Sequence, residues 1–187
     1  KANGGDLSMN VSTITANTSV TGTASGAMLL DASTATAGTD LSLSAGTVLT
    51  GDDSTFTAGN DLSLTAGTSL TANDSTVIAT AGSATIKANG GALSMNASTI
   101  TAKTSVTGTA SGGVLLDGST LTATTGALTL GAAGGNLSLE SADLVAGAAL
   151  TGTASAGVLL DASTAAAGTN LSLSAGTVLT GDDSTFT

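Results

Sequence analysis

The sequence predicts an all-β chain: a right-handed parallel β-helix of about nine coils, with three strands in each coil of about 21 residues. Three observations carry this. The stretch LSLSAGTVLTGDDSTFT fills residues 41–57 and returns letter for letter at residues 171–187. A shorter unit runs beneath it, clearest at 38–58 (GTDLSLSAGTVLTGDDSTFTA) and 59–79 (GNDLSLTAGTSLTANDSTVIA). Within each unit apolar and hydroxyl residues alternate with period two, the pattern of a strand with one dry and one wet face.

The same frame fits residues 17–37, 103–123, 147–167 and 168–187, while 81–102 and 125–146 need one additional residue near a turn. Residues 1–16 read as the tail of another unit. Each unit holds three alternating segments, such as LSLSA, TVLTG and STFTA, separated by Gly, Asp or Asn. Helix is a poor alternative, because Gly and Thr are frequent and no 3.6-residue stripe exists. Three strands without long connections describe a coil with three faces. Strands pairing with their equivalents one coil on, about 4.8 Å away, make a rod of about 43 Å. The right-handed sense follows from the crossover rule for parallel strands.

Counted from the start of each unit, positions 4, 6, 12, 14 and 19 should point inward. Position 12 reads Leu7, Met28, Leu49, Leu70, Leu93, Val114, Leu137, Val158 and Leu179. Position 19 reads Ile14, Ala35, Phe56, Val77, Ile100, Leu121, Leu144, Ala165 and Phe186. Positions 6 and 14 are expected to exchange volume: Gly22, Gly108 and Gly152 go with Leu30, Leu116 and Leu160, and Leu43, Leu64 and Leu173 with Gly51, Ala72 and Gly181. The longer units pair Ile86 with Met95 and Leu130 with Leu139, and an extra turn residue is expected to widen the coil for them.

Composition narrows function further. The aromatic content is 1%, only Phe56 and Phe186, and the chain has no Cys, His, Pro or Trp. A formal charge of −10, with Lys1, Lys87 and Lys103 as the only cations, argues against nucleic acid and anionic membranes as partners. No run of eighteen apolar residues suggests a membrane-spanning helix. Without His, Cys or Arg the usual nucleophile activators and oxyanion clamps are missing, so enzymatic activity is not expected. The adjacent carboxylates Asp52 with Asp53, and Asp182 with Asp183, lack an aromatic neighbour for a sugar. Since the chain starts and stops inside a repeat, residues 1–187 are expected to be a single segment of a longer rod.

Three outward features are candidate sites. Position 15 is a polar ladder: Asn10, Asp31, Asp52, Asn73, Asn96, Asp117, Glu140, Asp161 and Asp182. Its simplest reading is Asx side chains bonding their own turn backbone. The alternative is a cation, calcium by chemistry, between stacked carboxylates of Asp31, Asp52, Asp117, Glu140, Asp161 and Asp182. Thr pairs form the second feature: 13 with 15, 34 with 36, 55 with 57, 99 with 101, 120 with 122 and 185 with 187, interrupted by Ile78, Asp143, Val145 and Ala166. Such TxT ranks resemble ice-binding proteins. Third, Leu29, Leu115 and Leu159, with Val48 and Val178, share one outward face and are a candidate assembly stripe. Six Asn-x-Ser sequons, at Asn10, Asn17, Asn73, Asn96, Asn136 and Asn170, are expected by chance in so Ser-rich a chain.

GGDLSMNVSTITA, GTDLSLSAGTVLT, GGALSMNASTITA and GGNLSLES resemble the repeats of filamentous-haemagglutinin-type exoproteins, secreted by Gram-negative two-partner systems. The resemblance covers essentially the whole chain and implies an extracellular rod at the bacterial surface. On that footing the chain is expected to be the structural or adhesive shaft of a cell-surface or matrix fibre. Its expected partners are neighbouring copies or flanking coils of the fibre and ligands on host or other cells, and no cofactor is expected. The rival class is a ligand-binding module, for ice through the Thr ranks or for calcium through the acidic corner.

Overall fold

The computed structural model describes residues 1–187. It contains twenty-six strands and no helix, arranged as three parallel sheets of nine, nine and eight strands. In each sheet every strand neighbours its equivalent one coil away, so the chain is a β-solenoid of about nine turns. The architecture read from the repeat is the architecture found.

One coil shows how the residues build it. Leu41–Ala45 is a five-residue strand of the first sheet, Leu49–Thr50 a two-residue strand of the second, and Thr55–Ala58 a four-residue strand of the third. Their burial alternates, with Leu41, Leu43, Ala45, Leu49, Phe56 and Ala58 inside and Ser42, Ser44, Thr50, Thr55 and Thr57 partly exposed. In the next coil these lie on Leu62–Ala66, Leu70–Thr71 and Thr76–Ala79 in strict register. The core is one continuous cluster of 44 buried hydrophobic residues running along the rod axis.

The expected inward columns are buried except in the end coils, where Leu7 and Ile14 are half-buried and Leu179 and Phe186 exposed, and three more columns join them. Ala24, Ala45, Ala66, Ala88 and Ala110 close the first sheet, and Ala37, Ala58, Ala79, Ala102 and Ala123 close the third. The third addition is polar. Ser33, Ser54, Ser75, Ser98, Ser119 and Ser163 are buried at the corner that opens the third sheet.

Volume exchange takes place between other partners than the sequence suggested. A Cβ on Gly51 would lie 2.7 Å from Cζ of Phe56, and one on Gly181 would lie 3.1 Å from Cζ of Phe186. In four coils position 14 therefore trades volume with position 19, Leu30 and Leu160 going with Ala35 and Ala165 and Gly51 and Gly181 with Phe, whereas the coils of Leu116 with Leu121 and Leu139 with Leu144 bury a large residue at both. Where position 6 is Gly it trades along its own column: the space at Gly22 is taken by Leu43 of the next coil, 2.8 Å from the missing Cβ, and that at Gly152 by Leu173 at 2.8 Å. Leu130 pairs with Gly108 on one side and Gly152 on the other. This gives it room without a wider coil.

The longer units absorb their additional residues at corners. The chain takes four steps from Ala45 to Leu49 but five from Ala88 to Leu93, and four from Ala58 to Leu62 but five from Ala79 to Ala84. Strand lengths and register are unchanged there: Leu70 pairs with Leu93 and Val114 with Leu137. Corners are where a solenoid tolerates insertions, because no ladder bond crosses the extra residue.

Candidate functional site

Two corner ladders and two outward faces carry every polar group that stands out in the sequence. At position 15 the side chains bond the backbone of the next coil, not their own turn. Oδ1 of Asp31 accepts the Asp52 N–H at 3.2 Å, Oδ1 of Asp52 accepts that of Asn73 at 2.7 Å, and Oδ1 of Asn73 that of Asn96 at 2.9 Å. The series continues through Asn96 to Asp117 at 3.0 Å and Asp117 to Glu140 at 3.0 Å, and Asp161 accepts the Asp182 N–H at 3.2 Å. The ladder joins coil to coil, through charge-assisted bonds where the acceptor is Asp and neutral ones where it is Asn, and it is broken at Glu140, whose side chain does not bond the coil of Asp161. Nowhere do three or more acidic, His or Cys side chains gather into a cluster of metal-ligand geometry. The six candidate cation ligands lie one per coil, strung along the corner.

Position 16, immediately after this ladder, takes a left-handed backbone in every coil: Val11, Ala32, Asp53, Asp74, Ala97, Gly118, Ser141, Ala162 and Asp183 all have φ between 51° and 66°. Asp and Gly suit that region, whereas Ala and Val are strained in it. Ala97 is exposed and stacks beside Gly118. Ala97→Gly is expected to raise stability by about 0.5–1 kcal/mol, readable as a higher melting temperature, because relief of strain outweighs the entropy Gly adds to the unfolded chain. The adjacent carboxylates Asp52 and Asp53 separate here, Asp52 engaged in the ladder and Asp53 exposed at the turn.

The buried serines form a second ladder that hydropathy alone hides. Oγ of Ser54 donates to the Leu30 carbonyl at 2.6 Å and accepts the Ser33 N–H at 3.0 Å; Ser75 and Ser98 repeat the arrangement one and two coils on. Each hydroxyl thus satisfies a buried acceptor and a buried donor of the preceding coil. Ala142 interrupts the ladder, and there the Ser119 N–H keeps only the Leu116 carbonyl at 3.2 Å, a bond whose equivalent the Ala142 and Ser163 N–H groups make alongside that to a serine hydroxyl. That fallback sets a ceiling on the cost of losing one hydroxyl. Ser98→Ala is expected to lower stability by about 1–2 kcal/mol in thermal unfolding, less than two fully unpaired groups would cost. The ladder also bears on the sequons, since the serines of those at Asn73 and Asn96 are the buried Ser75 and Ser98.

The candidate assembly stripe is not continuous. In the second sheet Leu29 lies between Ser8 and Thr50, Leu115 between Ser94 and Ser138, and Leu159 between Ser138 and Thr180. Leu115 is 38% exposed and Val178 50% exposed, whereas Leu29, Leu159 and Val48 are half-buried. Val178 reaches across the neighbouring corner, its Cγ1 3.1 Å from where a Cβ of Gly157 would stand. No two of these Leu occupy consecutive coils.

The Thr ranks, by contrast, are in register. Thr13, Thr34, Thr55, Thr76, Thr99 and Thr120 pair in series along the third sheet, and Thr15, Thr36, Thr57, Ile78, Thr101 and Thr122 form the parallel rank. Beyond them stand Asp143 and Val145. The single hollow on the surface is the uncovered interior of the last coil, lined by Leu171, Leu173, Leu179, Thr180, Gly181 and Phe186. No family model, no curated protein and no solved structure matches the chain.

Proposed function

We propose that this chain is the shaft of a secreted bacterial surface or matrix fibre, a rod that spaces or presents adhesive parts. The observation that carries the reading is the in-register stacking of near-identical coils around one unbroken aliphatic core, whose polar corner side chains are spent on bonding one coil to the next. In such a solenoid each coil contacts only its neighbours, so length grows by copying coils without redesign of any interface. The duplicated seventeen residues are what such growth leaves behind. Resemblance to filamentous-haemagglutinin-type repeats supports placement outside the cell. Lack of Cys suits a chain that threads a pore and then zips coil by coil.

Electron microscopy of the purified chain and of a variant with residues 38–79 duplicated tests the shaft. The variant should be longer by two strand spacings, about 9.6 Å, at unchanged width. A thicker or irregular particle would remove the reading. Retention of chain-coated beads on cell layers, compared with beads carrying an unrelated acidic protein, separates an adhesive shaft from a passive spacer.

A further inference from the structure

We infer that the third-sheet face of the first six coils binds a crystalline water surface. Eleven of its twelve outward positions are Thr, and Ile78 is the twelfth. The first-sheet face does not share this choice: there Thr mixes with Ser42, Ser44, Ser63, Lys87 and Gly131. Ser and Thr serve solubility equally, so a preference for Thr on one face asks for a property Ser lacks. Thr is β-branched and holds its χ1, which keeps a hydroxyl and a methyl at fixed points of the strand surface, where Ser rotates.

The backbone makes those points a lattice. Neighbouring Thr of one rank are about 4.8 Å apart across coils, and the two ranks are about 6.7 Å apart along the strand. None of the eleven hydroxyls is engaged by another protein group, in contrast to Thr164 further along the rank, whose hydroxyl donates to Asp143. Thr180 carries the one buried side-chain polar atom without a partner, so the rank hydroxyls are open to water.

Other occupants fit less well. The face carries no charged side chain over these six coils, which leaves nothing to pair with an ionic ligand. It has no aromatic ring on which a sugar could stack, since Phe56 is fully buried. Acidic corners border it on both sides, Asp31, Asp52, Asp53 and Asp74 on one and Asp40 and Asp61 on the other with Lys103 as the one cation, so a second copy laid face to face meets mostly like charge. A flat, neutral, periodic array has no concavity for a single small molecule. Its complement is another flat periodic array of hydrogen-bonding groups. Ice is that array, and many weak contacts held rigidly in register add up to adsorption.

The test is thermal hysteresis and ice-recrystallisation inhibition by the purified chain, with two variants of matched chemistry. Thr57→Tyr raises a ring from the centre of the face and should lose the greater part of the activity. Thr107→Tyr, on the first-sheet face, should keep it. Circular dichroism checks that both retain the sheet; if Thr57→Tyr does not, Thr57→Ser, which loses only the methyl, carries the same expectation in milder form. Absence of any ice effect in the parent chain overturns the inference, as does equal loss in both variants. Cosedimentation with crystalline cellulose or chitin, without an effect on ice, overturns it in favour of a polysaccharide surface.

Discussion

Alanine at Gly67 is expected to destabilise the chain by about 3 kcal/mol or more, one of the largest effects of any single methyl group in the rod. The glycine lies at the corner after Leu62–Ala66, and a Cβ there would overlap the carbonyl oxygen of Gly46 in the coil beneath. Its backbone is tied down at that spot, the Gly67 N–H donating to the Ala45 carbonyl at 2.9 Å and the Thr68 N–H to that of Thr47 at 2.8 Å. An added methyl must therefore either break these bonds or part the coils. Because solenoid stability is a sum of neighbour interfaces, the damage should be local. Hydrogen exchange is expected to rise around residues 41–71 first, with the melting temperature falling alongside. Exchange at the level of the parent chain would refute the close-packing account.

The same corner shows a rule. Where a short corner stacks directly on a short corner, the residue is glycine: Gly46, Gly67 and Gly176 after first-sheet strands, and Gly38, Gly59 and Gly168 after third-sheet strands. Where one of the two coils carries an extra residue, the position is Ser25, Asn89, Ser111, Ala133 or Ser155, and Thr80, Lys103 or Thr124. Gly147 is additional, standing on the long corner at Thr124. The glycines answer a backbone carbonyl one coil below, since none of these six has a positive φ.

The second large effect concerns the core. Phe56→Ala should cost about 3–5 kcal/mol, since the ring is fully buried and its removal leaves a cavity beside Gly51. Gly51→Leu alone should also destabilise, by about 1–3 kcal/mol, because the ring already occupies that space. Together the two changes recreate the Leu30 and Ala35 pair found one coil earlier, and the double variant is expected to recover most of both losses. Chemical denaturation of the four species gives the coupling energy directly. Simple additivity would show that positions 14 and 19 do not share their volume, contrary to the geometry.

The inward columns were readable because period-two alternation is a property of any strand, so Leu49 and Leu70 announce a dry side wherever the sheet goes. The in-register Thr ranks were readable for the same reason, the repeat length setting which Thr stands above which. The serine ladder was not. Ser54 and Ser75 belong by hydropathy to the wet face, and only the corner reveals the carbonyls of Leu30 and Gly51 waiting to be bonded. The acidic corner was half readable: its polarity was plain, but its bonding partner, the N–H of the following coil, depends on how one corner overhangs another. The apolar stripe is interrupted, because Leu115 and Leu159 come from alternate coils with Ser138 between them.

By itself the sequence determined the coil length, the three faces, the parallel stacking and the aliphatic interior, since an exact repeat obliges each unit to bury the same pattern against its neighbour. The tertiary structure alone decided which side chains trade volume, which hydroxyls go inside and which glycines are indispensable. Those are contacts across coils and around corners, set by distances of a few ångströms that periodicity cannot encode.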